Sequence, residues 1–244
     1  MSRTVPARSS PAIDRLVTYL MGTAEADPLA DELAAWLKDS TRFRAFIEAH
    51  RDKVRKKVRT ASDPDARRDV RAELRVAQLL LTDRHVELAF EAAGSTRGGP
   101  DFTVTTRGQR PFNLEVTRLR LGADANVAGS IVAKVRQLPP SIPNAVLLAI
   151  DAGPASAVDV AGAVRSIRQR AGAADDAYFE ARGFGGARDF HRRIQRLGAV
   201  VVLADAEAGE ARAASWTNGS ARIAVPDRAL RACLACLRGA SPGS

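Results

Sequence analysis

The sequence predicts an α/β fold, a mixed central sheet with flanking helices, preceded by a helical N-terminal region. Three observations carry this. From Pro11 to about Ser62 apolar residues recur at helical spacing, as in Ile13, Leu16, Val17 and Leu20, then Leu29, Leu33, Trp36 and Leu37. Three short stretches with strand character, 85–91, 102–106 and 112–119, are separated by glycine-containing turns at 94–99 and Gly108, the pattern of an antiparallel meander. A helical segment, 126–138, then stops at Pro139-Pro140 and leads into the apolar run 145–150, the mark of a strand covered on both faces. A helix followed by a buried strand reads as a crossover.

Taken in order, residues 1–10 and 239–244 are rich in Ser, Gly and Pro without periodicity and read as disordered ends. Residues 11–62 form the helical region, closed by Phe43, Phe46, Ile47, Val54 and Val58 on a third apolar face. The α/β domain spans 63–238. Its first helix starts at Ser62-Asp63-Pro64-Asp65, with Asp63 placed to cap and Pro64 at the first helical position. The core order is helix, strand, strand, strand, helix, strand. Helices near 158–170 and 187–197, strands 199–203 and 212–217, and a last helix 227–238 extend it.

Composition narrows the function. The 244 residues are 45% hydrophobic and 27% charged, enough apolar material for one sizeable core. No apolar run reaches the roughly 18 residues of a membrane span, and the opening residues lack a secretory segment, so a cytoplasmic protein with no membrane partner is expected. Two cysteines, Cys233 and Cys236, exclude a disulfide scaffold and a four-cysteine zinc site. The net charge is +9, and only five of 37 basic residues are lysine. Between Thr41 and Thr60 eight basic residues face two acidic ones, so six of those nine charges are concentrated there. Such a stretch attracts a polyanion, nucleic acid above all, and Arg51, Arg55, Lys56 and Arg59 are its candidate contacts; a solvated helix face is the alternative.

Three acids fall where acids are unusual. On the helix beginning at Pro64, Glu73 lies at about 300° from Val70, inside the arc of Val76, Leu80, Ala77, Leu81 and Leu74. A carboxylate facing a core must be paired, hydrogen bonded or near a metal, and pairing with an arginine of the same domain is the structural explanation. Asp101 ends Gly98-Gly99-Pro100-Asp101, where a glycine loop enters a strand. Glu115 sits in mid-strand within Phe112-Asn113-Leu114-Glu115-Val116-Thr117, sharing a face with Asn113 and Thr117. Pairing of the two strands as a hairpin brings Asp101 within reach of Glu115 or Thr117, and like charges that close call for a shared proton or a divalent cation.

Glu73 on a helix, Pro100-Asp101 entering a strand and Glu115-Val116-Thr117 fourteen residues after Asp101 resemble the PD-(D/E)XK nuclease superfamily, whose core is helix, three strands, helix, strand. The resemblance covers about residues 64–151. It implies metal-dependent hydrolysis of phosphodiesters in DNA, with Mg²⁺ or Mn²⁺ on Asp101, Glu115 and the Val116 carbonyl, and Glu73 acting directly or through water. One position departs from the pattern: Thr117 stands where the family carries a lysine. Some members place that cation on the following helix, and Lys134, the one lysine after Lys57, is its candidate here. Arg136 and Gln137 beside it are auxiliary candidates for phosphate or the site. Two other classes stay open at this level: a nuclease fold that binds nucleic acid without hydrolysis, and a protein-interaction scaffold. A homodimer is compatible with either.

Cys233-Leu-Ala-Cys236 has redox-pair spacing but stands alone and reads as two small buried residues. Gly183-Phe-Gly-Gly186 lacks the ending of a phosphate loop and reads as a turn.

Overall fold

A computed structural model describes residues 11–22, 27–91, 99–120, 127–151, 153–204 and 212–239. The expected disordered ends, but for Gly239, and nearly all of the 94–99 turn lie outside these residues. The chain divides into two compact units, Met1–Gln78 and Leu79–Ser244.

The first unit is helical: α1 (Pro11–Met21), α2 (Pro28–Asp39), α3 (Thr41–Ala49), α4 (Arg51–Thr60) and all but the end of α5 (Pro64–Leu80). Local chemistry starts these helices. Asp27 accepts from the Leu29 N–H at 2.9 Å ahead of Pro28, Ser40 accepts from the Phe43 N–H at 3.1 Å, and Asp63 accepts from the Ala66 N–H at 2.8 Å, each satisfying an otherwise unpaired donor. The apolar faces read from the sequence turn inward, with Leu20, Leu33, Leu37, Phe43, Ile47 and Val58 wholly buried. The division falls after Gln78, inside α5, rather than at the turn before Asp63. The reason lies in cross-links: Arg71 pairs with Glu32, Arg67 with Asp27 and Lys57 with Glu73, tying α5 into the helical unit.

The second unit holds a six-stranded mixed sheet whose spatial order follows the chain: β1 (Val86–Phe90), β2 (Phe102–Thr106), β3 (Phe112–Leu119), β4 (Asn144–Ile150), β5 (Leu197–Ala204) and β6 (Arg212–Thr217). The β1–β2–β3 meander is antiparallel; β3, β4 and β5 run parallel; β6 returns antiparallel to β5. The parallel steps require crossovers, supplied by α6 (Val127–Val135) and then α7 (Val160–Gly172), α8 (Asp176–Glu180) and α9 (Ala187–Ile194). Every residue of β4 and β5 is buried, which explains their unbroken apolar sequences. The short α8 escapes periodicity because it is five residues long; an Asp175 cap and the stacking of Phe179 on Phe190 at 4.4 Å fix it instead.

The unit closes with α10 (Asp227–Leu237), in which Cys233 and Cys236 are both buried. Burial pushes both thiols up, so neither forms a reactive thiolate. Among the described residues no helix is long and apolar enough to cross a membrane.

Candidate active site

The hairpin register decides which acids meet. In the β2–β3 pair Phe102 stands opposite Leu114, so the same register continued by one residue sets Asp101 opposite Glu115. Asp101 is pinned there: its Oδ2 accepts the Val116 N–H at 2.8 Å. Glu115 is 5% exposed, an uncommon place for a carboxylate in mid-strand. Burial raises its pKa above the usual carboxylate range, and the negative charge of Asp101 pushes in the same direction, outweighing the opposing effect of Lys134. Two acids in this arrangement favour a proton or a cation between them.

Lys134 supplies a positive charge from another element. Its Nζ donates to Glu115 Oε1 at 2.7 Å. The side chain projects from the last turn of α6, whose Ile131, Val132 and Val135 are buried in the core, so the crossover helix lies over the β3 face that bears Glu115. Thr117, half-buried, shares that strand face two residues on. Arg118 points elsewhere and binds Asp151 at 2.6 Å. Arg136 and Gln137 occupy the exposed turn after α6, where the Gln137 N–H bonds back to the Lys134 carbonyl at 2.9 Å.

Beside Glu115 runs a buried polar network that the sequence did not single out. Thr103 donates to Asn113 at 3.1 Å and Asn113 donates to Asn144 at 3.0 Å. The Asn144 amide nitrogen lies within 2.8–3.0 Å of the carbonyls of Pro139, Ile142 and Arg196. An amide at the start of an otherwise apolar run was the available signal: Asn144, fully buried, clamps the loop between α6 and β4 and thereby holds the end of the helix that carries Lys134.

Glu73 is placed differently. It lies on α5 within the helical unit, its side chain 16% exposed, and its partner is Lys57 of α4, a lysine where the sequence suggested an arginine. Of the expected site residues, Asp101, Glu115, Val116 and Lys134 come together in the sheet unit. Among the described residues no three His, Cys, Asp or Glu side chains form a group able to hold a metal ion. The donors expected from the sequence that the sheet unit brings together, the Asp101 and Glu115 carboxylates and the Val116 carbonyl, are all oxygen, a set that suits a hard divalent cation rather than zinc.

The basic stretch on α4 turns Val54 and Val58 inward and leaves Arg51, Lys56 and Arg59 exposed, as amphipathicity requires. The guanidinium groups of Arg51 and Arg55 lie 5.7 and 4.4 Å from the centre of the Tyr19 ring, so part of this charge is held by an aromatic face of its own unit. None of the family models, curated proteins or solved structures compared with the chain matches it significantly.

Proposed function

We propose that the chain is a metal-dependent phosphodiesterase acting on DNA, a relative of the PD-(D/E)XK nucleases in which the cation of the motif has moved from the strand to the crossover helix. The observation that carries this reading is the Lys134 ammonium, 2.7 Å from Glu115, beside the acid that faces Asp101 across the hairpin. Thr117 cannot supply a positive charge; Lys134 can, on the same acid.

Asp101, Glu115 and the Val116 carbonyl would hold Mg²⁺ or Mn²⁺, and the bound ion would polarise a phosphodiester and lower the pKa of a water. The chain's own groups do the rest. The Val116 N–H fixes the orientation of Asp101 by donating to its Oδ2. Glu115, raised in pKa, retains a proton more readily than an ordinary glutamate and releases it when positive charge enters. Lys134 neutralises charge on a phosphate oxygen and orients what approaches Glu115, a preorganised contribution of the kind that costs little reorganisation. Asn144 and Asn113 hold this geometry without touching the phosphate.

Incubation of duplex, nicked and single-stranded DNA with Mg²⁺ or Mn²⁺ tests the proposal, with Asp101→Ala alongside. Metal-dependent cleavage that Asp101→Ala abolishes is expected; DNA left intact under every condition overturns it.

A further inference from the structure

The sheet unit carries a second concentration of charge that the basic stretch on α4 does not include. Asn113, Asn144 and Leu197 stand side by side where β4 and β5 begin. Three chain segments meet at that end of the sheet: the turn after α6, the last turn of α9 running into β5, and the segment after β6. Each brings arginine. Arg193 Nη1 donates to the Arg136 carbonyl at 3.3 Å, Arg196 Nη1 to the Leu138 carbonyl at 3.0 Å, and the Arg222 N–H to the Gln195 carbonyl at 2.7 Å.

Asp189 is the acid these groups share. It accepts from Arg192 at 2.8 Å and from Arg193 at 3.0 Å, and those bonds, Arg192 first, hold its carboxyl down to about 2. The positive charge exceeds what one carboxylate balances. Burial, then the charges of Arg193, Arg192 and Arg222, lower the pKa of Arg196, as expected where cations crowd one another. The platform is firm: Arg193 lies over the Phe184 ring at 5.9 Å, and Phe184 packs on Phe179 and Phe190. A Cβ on Gly183, whose φ is +79°, would come within 2.7 Å of Arg136 Nη1, so glycine there leaves room for the guanidinium.

We infer that Arg136, Arg192 and Arg222, supported by Arg193 and Arg196, form a face that binds the phosphodiester backbone of DNA and leads it to the Glu115–Lys134 site. Arg192 is 70% exposed, and Arg136 and Arg222 are exposed as well. The face is continuous with the site in sequence and register: Arg136 follows Lys134 by two residues, and Asn113 precedes Glu115 by two, or about 7 Å along the strand. Charge complementarity selects the occupant. Guanidinium forks match phosphate oxygens two by two, and groups on three segments suit a polyanion with regularly repeated charge. The assignment of DNA rests on the proposed hydrolytic function; the face itself does not.

The test uses the full chain and a labelled DNA duplex of about 30 base pairs in metal-free buffer, with affinity measured from roughly 50 to 300 mM salt. The variant Arg136→Gln/Arg192→Gln/Arg222→Gln should reduce the slope of log affinity against log salt by about 2–3 and weaken binding at low salt on the order of 100-fold. Arg192→Gln alone, at the most exposed position, should reduce the slope by about 1, which keeps the test valid should the triple variant fold poorly. Unchanged slopes, or slopes that fall only in Arg51→Gln/Lys56→Gln/Arg59→Gln, overturn the face. Tighter binding to phosphatidylserine vesicles than to DNA, lost in the same triple variant, overturns the assignment to nucleic acid. DNA cleavage with Mn²⁺ and unaltered slopes would remove the face and keep hydrolysis; reduced slopes without cleavage would keep the face and remove hydrolysis.

Discussion

Lys57–Glu73 and Lys134–Glu115, two lysine–glutamate pairs among the described residues, differ in what surrounds the carboxylate. Lys57–Glu73 joins neighbouring helices of the first unit, with side chains 25% and 16% exposed; Lys134–Glu115 joins the crossover helix to the sheet, with 21% and 7%. The lysines are similarly exposed. Glu115 is the more deeply buried acid, and that burial, together with Asp101 set across the hairpin, raises its pKa. A lysine beside two opposed acids leaves one negative charge over, which a proton or a further cation would balance. Identical side-chain chemistry thus stands in two different electrostatic surroundings, and the backbone register of one hairpin sets one of them.

The largest contrast should appear in catalysis. Lys134→Ala is expected to lower DNA cleavage by about 10²–10³-fold, the size of losing one preorganised charge-stabilising group, while Lys57→Ala leaves the rate per folded molecule unchanged. Single-turnover kinetics with Mn²⁺ read both. Equal losses in the two variants would erase the distinction between the pairs.

Metal response comes next. With Mn²⁺ at about 100 times its dissociation constant, the wild-type chain should gain about 2.7 kcal/mol of stability, seen as a rise in Tm, and Glu115→Gln should show none. A calorimetric titration lacking any heat dependent on Glu115 would defeat metal binding at this site.

Without metal, the two glutamates should respond differently to neutralisation. Glu73→Gln leaves Lys57 with a weaker partner in a half-buried place and should cost about 1–3 kcal/mol in a denaturant titration at neutral pH. Glu115→Gln removes a charge that burial and Asp101 disfavour, so its midpoint should stay level or rise. The pH dependence follows the same sign. A carboxyl whose folded pKa is raised stabilises the fold less as pH climbs from the ordinary glutamate range through the raised value, so wild-type stability should decline across that window and Glu115→Gln should lack the decline.

Asp189 offers the smallest effect and the opposite slope. Its pKa is lowered to about 2, so its contribution is complete above the ordinary aspartate value and fades as pH falls toward 2. Solvent around Arg192 screens this pair, and roughly 1 kcal/mol is expected. Asp189→Asn should flatten the acid limb of the unfolding curve by that amount.

Much of the fold was legible because its signals are local. The cap at Asp63, the stop at Pro139-Pro140 and the apolar runs of β4 and β5 each act over a few residues, and the observed elements depart from the expected ones by three residues or fewer at nearly all ends. The meander was legible through Gly108 and the alternation of β3. The five-residue α8 was not, since a single helical turn carries no period. The network through Asn144 was not, because its partners Pro139 and Arg196 lie 5 and 52 residues away along the chain. For the same reason the arginine face went unread beyond Arg136: Arg192 and Arg222 are distant from it in a sequence that uses arginine almost everywhere.

Composition and periodicity by themselves determined the helical first region, the order of strands and crossover helices, and the positions at which acids are unusual. Tertiary structure alone decided that Asp101 faces Glu115, that Lys134 reaches the same carboxylate, and that Glu73 pairs with Lys57. The reason is one of range. Helix caps, turns and apolar periods are fixed by neighbours along the chain, whereas the charge state of a carboxylate depends on everything within a few ångströms of it, and only folding brings those groups that close.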